Sequence, residues 1–105
     1  MTEHATEYAK IAETKDIPDG EVKVYDLNGA AIALCHVGDK FYAVQDLCTH
    51  DGGPLGEGEL VGSQIECPRH GARFDVKTGK AMCLPAVIDI PTYEVEVRGG
   101  EIFVK

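Results

Sequence analysis

The chain has no apolar run approaching the roughly 18 residues that a membrane-spanning helix requires. It opens Met1-Thr2-Glu3-His4, with neither the basic stretch nor the apolar stretch of a secretory leader. No C-x-x-C occurs, which removes a redox dithiol. No internal repeat or low-complexity tract is present. Basic residues are scarce, ten Lys and Arg against eighteen Asp and Glu, for a formal net charge of −8. A surface of that sign disfavours nucleic acid, whose phosphates need Lys and Arg. It suits a partner with a basic docking patch and a fast, salt-sensitive encounter. The expectation is one soluble, monomeric, cytoplasmic domain, since 105 residues suffice for a single modest core.

The periodicity that is present is that of strands. Residues 8–12 read as a weak first strand, and Ile17-Pro18-Asp19-Gly20 as a turn. Val22, Val24 and Leu27 alternate with Glu21, Lys23 and Asp26, and Asn28-Gly29 is a strong two-residue hairpin signal. Residues 30–37 are nearly all apolar, as in a buried strand. Gly38-Asp39 then turns the chain into a strand over 41–45. Near the end, residues 92–98 place Tyr93, Val95 and Val97 on one face, Gly99-Gly100 turns, and 102–104 return. Three hairpins of period two predict an all-β protein built as an antiparallel sandwich or barrel.

Between these halves the texture changes. Gly52, Gly53, Gly56, Gly58, Gly62, Gly71 and Gly79 gather with Pro54, Pro68 and Pro85. Short strands are expected at 64–67, 73–75 and 80–82. In this stretch lie Cys48-Thr49-His50 and Cys67-Pro68-Arg69-His70, with sixteen residues separating His50 from Cys67. Thiolate and imidazole are ligands for soft metals, and one of each, twice, suits two irons of different ligation. The same four residues could form a tetrahedral zinc site, although zinc spacings usually pair Cys with Cys and His with His. A Cys–His nucleophile is a third chemistry, but it needs only one such pair.

The pattern C-x-H-x16-C-x2-H, with Asp51-Gly52-Gly53-Pro54-Leu55 after the first pair and Gly71-Ala72-Arg73-Phe74-Asp75 after the second, closely resembles the Rieske [2Fe–2S] signature. The resemblance covers most of the chain and is strongest over 46–86. It implies one Rieske-type [2Fe–2S] cluster, with Cys48 and Cys67 on the inner iron and His50 and His70 on the outer iron. It also implies a Rieske-like β-sandwich or barrel base domain, residues 1–45 and 87–105, with a small cluster-binding subdomain inserted at about 46–86. Glycines there would reach positive φ and let backbone N–H groups approach the bridging sulfides. Pro85 matches the proline of a third loop that covers the cluster, and Pro54 with Leu55 would form an apolar rim around the histidines.

Departures from the family pattern bear on the potential. High-potential members carry an extra cysteine in each ligand loop, forming a disulfide, where this chain has Gly53 and Arg69. They carry serine and tyrosine hydroxyls, donors to cluster sulfur, where this chain has Ala72 and Phe74. Fewer donors stabilise the reduced state less, so the midpoint is expected at the low end of the Rieske range, about −150 mV. The histidines of such a centre should stay protonated at neutral pH, so a slope near 59 mV per pH unit is not expected there. Cys35 reads as a core residue; Cys83 has no assigned role.

The implied function is one-electron transfer, from a flavin-dependent reductase to a terminal oxygenase, by transient docking near His50 and His70. The chain is too short to add a substrate domain, so it is not expected to be an enzyme. The alternative is a small Rieske-like subunit of a larger reductase, such as nitrite reductase.

Overall fold

The computed structural model describes residues 8–47, 54–56, 58–68, 71–83 and 88–105. Among them are eleven strands, β1 Ala9–Glu13, β2 Val22–Leu27, β3 Ala30–Val37, β4 Lys40–Gln45, β5 Glu59–Val61, β6 Gln64–Glu66, β7 Arg73–Asp75, β8 Ala81–Cys83, β9 Thr92–Tyr93, β10 Val95–Arg98 and β11 Glu101–Val104. The single helical element described is a 3-10 turn at Thr14–Asp16. All described strand pairs are antiparallel, and they form three sheets, β1-β11-β10, β2-β3-β4-β9 and β5-β6-β7-β8. The all-β expectation holds.

The apolar run of β3 has a simple cause. Ile32 and Leu34 pack in one core with Ala12, Ile17, Ala43, Ile102 and Val104, shared with the β1-β11-β10 sheet. Ala33 and Cys35, pointing the other way, pack in a second core with Val44, Ile65, Phe74 and Val76, shared with the β5-β8 sheet. The β2-β3-β4-β9 sheet is therefore a middle layer. Alternate residues of a strand face opposite sides, so the stretch of β3 covered on both sides, residues 32–35, is apolar at every position. The β2–β3 turn forms as the Asn28-Gly29 signal requires, with φ of 53° and 90° at the two residues, the signs of a type I′ turn.

Two local expectations are revised. Residues 92–98 are not one strand. Thr92–Tyr93 pairs with β4 and Val95–Arg98 with β11, the switch falling at Glu94, whose N–H and carbonyl both pair with Lys105. After the switch Val95 packs against the core while Val97 is exposed. The strand Glu59–Val61 was not anticipated, because three residues with Leu60 as the only inward apolar group carry almost no periodic signal.

Candidate metal centre

Cys67 follows β6 directly and is buried, 1% exposed, in the second core. Its N–H donates to the Ala72 carbonyl at 2.7 Å, and its own carbonyl accepts from the Gly71 N–H at 3.1 Å. Two backbone hydrogen bonds thus close the turn between β6 and β7. Beneath it, Ile65 pairs across the strands with Phe74, both fully buried. At the next position outward, Glu66 faces Arg73, whose Nε and Nη2 donate to Oε1 at 3.3 and 3.2 Å. Ala72 and Phe74 are both fully buried, and neither side chain carries a hydroxyl.

The other candidate segment joins β4 to β5 and crosses from the middle sheet to the third. Asp46 ends the β4 side, its N–H donating to the Ala31 carbonyl at 3.0 Å. Its carboxylate oxygen Oδ1 accepts two successive backbone N–H groups from the far side of the segment, Leu55 at 2.8 Å and Gly56 at 2.6 Å. Leu55 is fully buried in the core that holds Cys67, Ala72 and Phe74. Both candidate segments therefore converge on one apolar core. Gly58 must be glycine, since a Cβ there would strike the Glu66 carbonyl of β6.

Of the four predicted ligands, Cys67 alone lies within the described residues; Cys48, His50 and His70 lie outside them, as do Pro85 and Gly53. The apolar rim is half corrected. Pro54 is exposed, but Leu55 is a core residue and offers no surface. Cys35 is a free thiol in the core as expected, and burial pushes it up to about 12. His36 is structural, its Nδ1 2.7 Å from the Ile17 carbonyl and its ring stacked on Phe41. Asp46 carried no sequence signal, because a lone Asp after a strand reads as an ordinary loop residue.

Cys67, a free thiol buried in the same apolar core as Cys35, could act as a thiolate ligand there only with a metal ion beside it. An anionic sulfur among apolar side chains is costly unless a cation lies beside it. No helix among the described residues is long and apolar enough to cross a membrane.

A family model described as the Rieske [2Fe-2S] domain matches residues 7–94. The chain belongs to this family, and its cofactor is one Rieske-type [2Fe–2S] cluster. It is 46% identical over 90 residues to the ferredoxin component of the naphthalene 1,2-dioxygenase/salicylate 5-hydroxylase systems of Ralstonia sp., with 86% of each chain covered. The ferredoxin of carbazole 1,9a-dioxygenase from Nocardioides aromaticivorans IC177 superposes with a TM-score of 0.89 at 35% identity, covering 92% of this chain and 95% of that one. A chain from the complex of reduced oxygenase and oxidised ferredoxin in carbazole 1,9a-dioxygenase superposes at 0.87 and 40% identity, covering 92% and 91%. These relatives are ferredoxins, carriers rather than catalysts, and this chain is likewise an electron-transfer protein and not an enzyme. When bound, a cluster of this type supplies a one-electron redox change at a potential raised by its two neutral imidazoles.

Proposed function

We propose that the protein is the free-standing carrier of a ring-hydroxylating oxygenase system, taking one electron at a time from a flavin-dependent reductase to a terminal oxygenase. The observation that carries this reading is the likeness, over most of both chains, to ferredoxin components of dioxygenase systems, one of them solved together with its oxygenase. Cys48 and Cys67 hold the inner iron of the cluster, His50 and His70 the outer iron, and residues 46–86 form the cluster-binding subdomain. The burial of Cys67 beside Leu55 in a core fed by both candidate segments supports that assignment. The partners dock transiently near His50 and His70, the protein acts as a monomer, and the compartment is the cytoplasm.

The centre is of low potential. Ala72 and Phe74 are buried and lack hydroxyls, so these two positions give no O–H donor to stabilise the reduced cluster. The midpoint is expected at about −150 mV. The test is reconstitution with a purified flavin-dependent reductase and a ring-hydroxylating oxygenase. Turnover should require the cluster-loaded protein and slow with rising salt, because steering by a net charge of −8 is screened. Failure of the reduced protein to pass electrons to any such oxygenase would defeat the carrier role. A midpoint above about +100 mV, well inside the upper Rieske range, would defeat the low-potential assignment.

A further inference from the structure

Asp46 is bound at both ends of the stretch that contains Cys48 and His50. Its backbone N–H is fixed to Ala31 in β3, and the Leu47 N–H turns back onto the Gln45 carbonyl at 2.8 Å. Its Oδ1 then takes the N–H groups of Leu55 and Gly56. Leu55 in turn accepts from the Gly58 N–H at 2.8 Å and is itself locked in the core. Gly56 sits against the Val24 side chain of β2, where a Cβ would not fit. Among the described residues, no strand ladder ties 46 to 55; the carboxylate does it. A charged acceptor makes shorter and stronger hydrogen bonds to N–H than a neutral one. Two amides on one oxygen also fix direction, not just distance.

We infer that Asp46 is a positioning residue for the cluster: its carboxylate ties together the two ends of segment 47–54 and so sets where Cys48 and His50 present their ligand atoms. This rests on the assignment of Cys48 and His50 as ligands. Asp46 touches neither substrate nor partner in this role and acts only through the segment it ties. The closing contact uses one oxygen as acceptor, so an amide at the same position can reproduce it, whereas alanine cannot and glutamate displaces it by one methylene.

The test uses cluster-loaded protein and Asp46→Ala, Asp46→Asn and Asp46→Glu. Three quantities are measured: the rate of cluster loss to a chelator, the EPR line shape of the reduced protein, and the thermal unfolding midpoint. Asp46→Ala should lose its cluster about tenfold faster or more, the change expected for loss of a charge-assisted bond. Its EPR g-values should shift. Asp46→Asn should retain the wild-type line shape and most of the lifetime, rescuing Asp46→Ala. A purely structural Asp46 would lower the unfolding midpoint in every variant and leave the line shape of the remaining cluster untouched; that result overturns the proposal, as does wild-type cluster loss in Asp46→Ala. Should Asp46→Ala yield no folded protein, the other two variants decide. The proposal requires Asp46→Asn to outlast Asp46→Glu, and the reverse order overturns it. Cys48→Ser and His50→Ala are carried in parallel. If these keep an unaltered cluster, the ligand assignment itself is wrong; if they lose it while Asp46→Ala is silent, only the role of Asp46 falls.

Discussion

The two segments assigned to the cluster are held in different ways. The second is a turn inside one sheet, between β6 and β7, closed by backbone hydrogen bonds around Cys67 and Ala72 and seated on the Ile65–Phe74 pair. The first crosses from the middle sheet to the third, and among the described residues the contacts that close it converge on one carboxylate, that of Asp46. A hairpin turn inherits its geometry from the register of its strands, so no single side chain outside the core is critical to it. A crossover has no ladder of its own. Its shape depends on whichever side chain reaches across, and one substitution can release it.

The largest effect on the second segment should come from its apolar seat. Phe74 is fully buried, and Phe74→Ala should destabilise the protein by about 3–5 kcal/mol, read from the denaturant midpoint of cluster-loaded protein by circular dichroism. A loss below about 1 kcal/mol would mean that the backbone ties alone hold the turn, and the contrast would be sharper still.

A control outside both segments is Cys35, in the middle sheet. Its thiol is pushed from 9.0 up to about 12 by burial. Above pH 9 the unfolded chain releases this proton while the folded chain keeps it, so the folded state holds more protons. Stability should be unaffected by this group below pH 9 and should fall as pH rises from 9 toward 12, by up to about 1.4 kcal/mol per pH unit. Cys35→Ala should lower stability at pH 7 and flatten that alkaline slope, as measured by denaturation at several pH values. An unchanged slope would place the alkaline sensitivity elsewhere.

The smallest effect belongs to the ion pair over the second turn. The Glu66 and Arg73 side chains are 37% and 38% exposed, so Arg73→Ala should cost less than about 1 kcal/mol and leave the rate of cluster loss near wild type. This is the direct counterpart of Asp46→Ala. Equal cluster loss in the two variants would break the distinction between a ladder-closed and a carboxylate-closed segment.

Much of the architecture was legible in the residues. The Asn28-Gly29 turn was readable because its backbone demands residues that tolerate positive φ. The β3 run was readable as buried because apolar residues at both alternations leave no face for water. The switch of residues 92–98 between sheets was hidden, since Tyr93 and Val95 keep the same alternation whichever neighbour they pair with. Leu55 was misjudged as rim, because an isolated leucine in a Gly/Pro-rich stretch looks the same whether it covers a surface or enters a core.

Family and cofactor were determined by the sequence alone, because metal chemistry selects residue types and the spacing of the two Cys/His pairs is short enough to read directly. The net charge of −8 was likewise a property of composition. What only the tertiary structure decided is how the segments are anchored: Leu55 joining Cys67 in one core, Gly58 admitting the Glu66 carbonyl, and Asp46 reaching nine and ten residues ahead to two amides. Such contacts join positions with no periodic relation, and they exist only once three sheets have been stacked.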